Sequence, residues 1–175
     1  MPQDDLDLRA LIRDVPDFPK PGILFRDVTP LLADARAFGV AIDRLAEPFR
    51  GRHVDKVIGI ESRGFFLGGP VALALAAGLV IVRKPGKLPR RTRSVAYALE
   101  YGTDTVEMHH DALAPGERVL VVDDLIATGG TAAATVQLAR EAGAELVGCA
   151  FLVELDALGG RKRLDVAHLH SLIHY

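Results

Sequence analysis

"VLVVDDLIATGGT", Val119 to Thr131, decides how the rest of the chain is read. Val119, Leu120, Val121 and Val122 form an uninterrupted apolar run, the pattern of a strand buried on both faces. Two adjacent acids follow, Asp123 and Asp124, and then a loop of small residues. Gly129 and Gly130 permit positive φ and a close approach of backbone to a ligand. From Thr131 an alanine-rich stretch predicts a helix to Ala142, stopped by Gly143. A buried strand, a bare loop and a helix make half of a βαβ unit.

The same punctuation recurs outward from this stretch. "KVIGI" (56–60), "LVIVR" (79–83), "LVGCAFLVEL" (146–155) and "VAHLHSL" (166–172) read as further strands. Helices are expected over Leu6–Asp14, from an Asp34 N-cap toward Phe49, and from Gly64 up to a glycine stop at Gly78. Alternating strands and helices predict an α/β fold with a parallel sheet covered on both faces. "VAYALEYG" and "TVEMHH" read as two strands pairing around Gly102. "VPDFPKPGILFRDVTPLL" (15–32), with four prolines, reads as loop with an extended piece at "GILFRD". "KPGKLPRRTRS" (84–94) is basic, lacks apolar periodicity and is expected to be mobile.

Composition narrows the function. The 175 residues fit one domain with a sizeable core. A formal net charge of −2 argues against binding nucleic acid by phosphate neutralisation. The single cysteine, Cys149, excludes an internal disulfide and a cysteine-based metal site. The acidic start of the chain has no apolar signal core, so a cytoplasmic protein is expected. Gly64–Val82 is uncharged and long enough to cross a bilayer. Gly68, Gly69, Pro70 and Gly78 break it, and it is read as buried helix plus buried strand. His109 and His110 are neighbours and point apart in a strand. His168 and His170 share a face without a third ligand nearby, so no zinc site is expected.

In open parallel sheets ligands bind beyond the carboxyl ends of the strands. Three polar loops fall there: "ESRG" (61–64), "RKPGKLP" (83–89) and "DDLIATGGT" (123–131). In the third, successive backbone amides, a helix N-terminus and the hydroxyls of Thr128 and Thr131 suit a phosphate monoester. Two carboxylates beside it would repel a bare phosphate. They suit a vicinal diol or a magnesium ion, so the ligand expected is a sugar phosphate. Neither G-x-x-x-x-G-K-[ST] nor G-x-G-x-x-G occurs in the chain.

"DDLIATGGT" resembles the phosphoribosyl-pyrophosphate motif of the type I phosphoribosyltransferases. "DFPKPGILFRDVTPLL", "ESRGF", "RKPGKLP", "YALEYG" and "LVELDALGGRKRL" are similar, in order, to signatures of the adenine-using branch of that family. The resemblance runs from about Val15 to Tyr175. It implies a single domain over 1–175: a mostly parallel central sheet flanked by helices, a small N-terminal hood (roughly 15–33) and a mobile lid (roughly 84–96). The implied reaction joins adenine N9 to C1′ of phosphoribosyl pyrophosphate, giving AMP and pyrophosphate in purine salvage. Magnesium would arrive on phosphoribosyl pyrophosphate, with no direct protein ligand. A homodimer is implied, with no nucleic-acid or membrane partner.

The resemblance also assigns roles. Asp123 and Asp124 would contact the ribose hydroxyls. Ala127, Thr128, Gly129, Gly130 and Thr131 would hold the 5′-phosphate. Arg63, Arg83, Lys84 and Lys87 would face pyrophosphate, with Arg63 and Arg83 catalytic. A cis peptide at Glu61–Ser62 would turn backbone amides toward pyrophosphate, although Glu61 replaces the commoner aspartate. Leu24, Phe25 and the backbone of Arg26 would read adenine. Ala127 stands where 6-oxopurine relatives carry an aspartate. Glu100 would donate or relay a proton, and Tyr101 would help close the site. Two other readings stand beside this one: a non-catalytic purine-sensing regulator with the same fold, and a transferase for another purine base. The lysine-bearing lid and Glu100 weigh against a sensor.

Overall fold

The computed structural model describes residues 6–99 and 102–175. In chain order its elements are β1 (Arg13–Pro16), β2 (Leu24–Asp27), α1 (Thr29–Ala33), α2 (Ala35–Ala46), β3 (Lys56–Ile60), α3 (Gly64–Ala74) and β4 (Gly78–Val82). Then come β5 (Thr92–Ala98), β6 (Thr103–His109), β7 (Arg118–Ile126), α4 (Gly130–Glu141), β8 (Glu145–Glu154) and β9 (Leu169–His174). The apolar runs β3, β4, β7, β8 and β9 form a five-stranded sheet in the order β4-β3-β7-β8-β9, every pair parallel. Two antiparallel hairpins stand beside it: β1–β2, in the stretch expected to form the hood, and β5–β6.

Alternation along β7 explains why the central strand reads as solid apolar. Leu120 and Val122 join a core with Val57, Leu67, Phe49 and Leu45. Val119 and Val121 join a second core with Ile58, Met108, Leu138 and Phe151. Successive side chains of a strand point to opposite faces, and both faces here are covered. Helix α2 starts where Asp34 accepts a hydrogen bond from the Ala37 amide at 2.8 Å. Among the described residues no helix is long and apolar enough to cross a membrane, and Gly64–Val82 divides into α3 and β4.

The structure corrects three sequence-based expectations. Leu6–Asp14 is not an α-helix: Asp7 caps one 3₁₀ turn over Leu8–Leu11, and Arg13–Pro16 pairs with β2. Pro16 disfavours helical backbone at Val15, and the strand pairing wins. Gly78 does not stop α3. Ala76 takes the left-handed position at φ 53, and the Ala77 amide donates back to the Ala72 carbonyl, a Schellman closure without glycine. The two acids do not follow the strand: β7 runs through them to Ile126. Between β4 and β5 residues 83–91 form the basic loop, and Thr92–Ala98 are strand β5. The loop's ends are tied to the β6 side by the Arg83–Glu107 backbone bonds and by the His110 amide on the Arg91 carbonyl.

Candidate active site

The carboxyl ends of β3, β4 and β7 open on one cavity of about 340 Å³, lined by residues 61–63, Lys84 and residues 123–132. All three loops singled out in the sequence meet there. The cradle after β7 turns at Gly129, φ 80, and α4 begins at Gly130, its first residues lining the cavity. The turn cannot carry side chains. A Cβ on Gly129 would lie 2.5 Å from the Gly160 carbonyl oxygen, and one on Gly160 would lie 2.3 Å from the Ala127 carbonyl oxygen. Backbone thus packs on backbone, and the "ALGG" stretch after β8 supports the cradle from outside the cavity. Arg161 fixes that support through a two-pronged bond to buried Glu154, at 2.9 and 2.6 Å. Burial opposes the Glu154 charge, but the bond to Arg161 outweighs it and lowers its pKa.

The paired acids differ. Asp124 is buried and accepts from Arg63 Nε at 2.5 Å. Asp123 is partly buried and accepts the Asp124 amide at 2.9 Å. Burial, and then the neighbouring Asp124 charge, raise the Asp123 pKa well above the usual carboxylate range.

The cations are already gathered. The Glu61–Ser62 peptide is cis. The Glu61 carboxylate accepts from Lys87 Nζ at 2.5 Å, Arg83 Nη2 at 3.1 Å and the Lys84 amide at 3.0 Å. Burial pulls the Glu61 pKa up, but these donors prevail and hold it at about 2. The Lys84 ammonium bonds Asp104 and donates to the Tyr97 hydroxyl at 2.9 Å. Burial works against the Lys84 charge, yet Asp104 and Tyr97 keep its pKa above the ordinary value.

On the hood, Leu24 is exposed and Phe25 belongs to neither core. The Phe25 ring meets Phe18 edge-on at 5.1 Å, and the Arg63 guanidinium lies 5.1 Å from its centroid, which joins hood to cavity. The Arg26 side chain pairs with Asp14 and stacks on Tyr175 at 3.8 Å, while Arg9 stacks on the same ring at 4.2 Å.

The cavity lining therefore unites Glu61, Ser62, Arg63, Lys84, Asp123, Asp124, Ala127, Thr128, Gly129, Gly130 and Thr131. Arg83 and Lys87 reach it through Glu61, and Leu24, Phe25 and Arg26 stand on the adjoining hood. Glu100 and Tyr101 lie outside the described residues. Tyr97 and Asp104 went unnoticed in the sequence reading. The β5–β6 register, with Ala98 opposite Thr103, pairs Tyr97 with Asp104 and brings both into view. Asp123 and Asp124 alone make a poor metal cage, since Asp124 is already committed to Arg63. Among the described residues the converging trio of possible metal ligands is Glu154, Asp156 and His174, outside the cavity lining. The donor set fits magnesium brought in on a phosphate ligand.

A tight glycine turn, paired acids and clustered cations meet at the edge of a parallel sheet. The chain belongs to the phosphoribosyl transferase domain family, which matches residues 31–171. Within it, its relatives are adenine phosphoribosyltransferases. The enzyme of that name from Myxococcus xanthus is 60% identical over 167 residues, covering 95% of this chain and 91% of the relative. The crystal structure of adenine phosphoribosyltransferase from Rhodothermus marinus superposes with a TM-score of 0.92 at 57% identity, covering 96% of each chain. The Saccharomyces cerevisiae enzyme, complexed with an imino-altritol bisphosphate and adenine, gives a TM-score of 0.86 at 40% identity and 95% coverage of each chain.

Proposed function

We propose that this chain transfers the 5-phosphoribosyl group of phosphoribosyl pyrophosphate to adenine N9, forming AMP and pyrophosphate, a pentosyl transfer of adenine salvage. The observation that carries the reading is the tight cradle turning at Gly129 set beside the Asp123–Asp124 pair, with Arg63 and Lys84 lining the same cavity. Phosphate and diol are thereby gripped at opposite ends of one ribose.

The geometry supports the following division of labour. The cradle amides and the hydroxyls of Thr128 and Thr131 take the 5′-phosphate. Asp123 and Asp124 take the ribose diol. Arg63, Arg83, Lys84 and Lys87 take pyrophosphate, with Lys87 and Arg83 handed over from Glu61. As the bond from N9 to C1′ forms, the bond from C1′ to the pyrophosphate oxygen breaks and its electron pair leaves with pyrophosphate. Fixed cations beside that oxygen favour the transition state over the ground state. Magnesium on the ligand would neutralise part of the same charge, near Asp123 and Asp124. Glu100 relays the proton displaced from the base, and Tyr101 helps close the site.

Phe25 stacks on the purine and Leu24 supplies apolar contact. The Arg26 amide donates to N1, and its carbonyl accepts from the 6-amino group. A 6-oxopurine presents the reverse pattern, and each bond becomes a clash. Ala127 offers no carboxylate to N7. The enzyme is expected in the cytoplasm as a homodimer.

The test is consumption of bases by the purified chain with magnesium and phosphoribosyl pyrophosphate. Adenine should be consumed and hypoxanthine ignored. No turnover of any base would overturn the enzymatic reading in favour of a sensor, and preference for hypoxanthine would overturn the roles of Arg26 and Ala127.

A further inference from the structure

Tyr97 has no role in the mechanism above, yet its hydroxyl is fully engaged. It accepts from Lys84 Nζ at 2.9 Å and from Thr131 Oγ1 at 3.0 Å, and it donates to Asp104 Oδ2 at 3.1 Å. A phenol has one proton to give and two acceptor sites, so the set is complete. Its ring lies against α4, with Cδ2 3.0 Å from where a Cβ on Gly130 would stand. The three partners come from three segments: the lid root, the phosphate cradle and β6. Two of them, Lys84 and Thr131, grip opposite ends of phosphoribosyl pyrophosphate in the proposed function, on which this inference rests.

We infer that Tyr97 is a positioning residue for phosphoribosyl pyrophosphate, coupling the 5′-phosphate grip of Thr131 to the pyrophosphate grip of Lys84 through one reversible hydroxyl. In the structure the Thr131 hydroxyl donates to Tyr97, so its proton points away from the cradle. A phosphate in the cradle offers only acceptor oxygens, and Thr131 must turn its proton toward them. The Thr131 oxygen then becomes an acceptor for Tyr97, whose own proton swings from Asp104 to Thr131. Asp104 and Tyr97 keep their bonds to Lys84, and the ammonium has one further proton for a pyrophosphate oxygen. No covalent bond changes; two hydroxyl rotors reverse together. Phenylalanine at this position fits the same space but gives Thr131 no acceptor in the free state and no donor in the bound one, and leaves Lys84 to Asp104 alone.

The test is steady-state kinetics of Tyr97→Phe, with thermal unfolding measured in parallel. The KM for phosphoribosyl pyrophosphate should rise about tenfold, the loss expected for one or two hydrogen bonds to a charged ligand, while the KM for adenine stays within about twofold. Thr131→Val should cost less in the Tyr97→Phe background than alone, because the two hydroxyls act as one unit. Asp104→Asn, which leaves the phenol in place, should also raise the phosphoribosyl-pyrophosphate KM by loosening Lys84. Equal changes in both KM values, strict additivity of Tyr97→Phe and Thr131→Val, or an unchanged phosphoribosyl-pyrophosphate KM would overturn the inference. Titration calorimetry with magnesium and phosphoribosyl pyrophosphate reads the same affinities without turnover. A wild-type chain that binds this ligand but consumes no adenine would therefore defeat the proposed reaction while still testing Tyr97.

Discussion

At the scale of single residues, the site is organised by carboxylates that hold cations ready. Asp124, buried and bonded to Arg63, orients that guanidinium and, in the proposed function, meets the diol. Asp124→Asn should raise the KM for phosphoribosyl pyrophosphate by at least about tenfold, since a charge-assisted bond is lost, with little change for adenine. Initial-rate measurements varying each substrate in turn decide it. Glu61 makes a prediction about pH. Its folded pKa of about 2 lies below its ordinary 4.5, so its contribution to stability is complete above pH 4.5. That contribution fades as pH falls through the interval down to about 2. In urea melts, the stability gap between the wild-type chain and Glu61→Gln should be constant above pH 5 and close on acidification. A gap that does not change would show that the cation cluster adds nothing to the fold.

At the scale of elements, most of the architecture was legible because local and global demands agree. Asp34 both interrupts the preceding helix and caps the next, and the apolar runs of β3, β7 and β8 admit no face for water. Asp34→Ala should cost about 1 kcal/mol, the usual worth of an N-cap, measured by chemical denaturation, with kinetics unchanged. The failures have equally local causes. Leu6–Asp14 carries helical periodicity, but Pro16 and pairing with Leu24–Asp27 draw its second half into a strand. The glycine at 78 looked like a helix stop, whereas Ala76 bears the left-handed turn and Gly78 opens β4. The start of β5 at Thr92 lies inside the basic stretch and pairs through its backbone, which composition does not reveal. The cradle was readable in the string itself. The Tyr97–Asp104–Lys84 network was not, since only hairpin register places the first two opposite each other.

At the scale of the whole molecule, distant parts of the chain converge on the hood. Tyr175 is tied into the sheet edge by its amide on the Glu154 carbonyl and by its own carbonyl to the Asp156 amide. Its ring is clasped between Arg9 and Arg26. Tyr175→Ala should therefore let the hood drift and raise the KM for adenine severalfold, more than that for phosphoribosyl pyrophosphate, whereas Tyr175→Phe should preserve both. Equal effects on the two substrates would place the clasp outside base recognition. The glycine-on-glycine contact behind the cradle has a longer reach. Gly129 and Gly160 stand 31 positions apart, and neither has room for a single methyl group while the other backbone stays where it is. A graft of "DDLIATGGT" into a foreign parallel sheet would carry the visible half of a two-piece mould. Transplanting the catalytic string without its unseen backing should yield a loop that folds and does not grip.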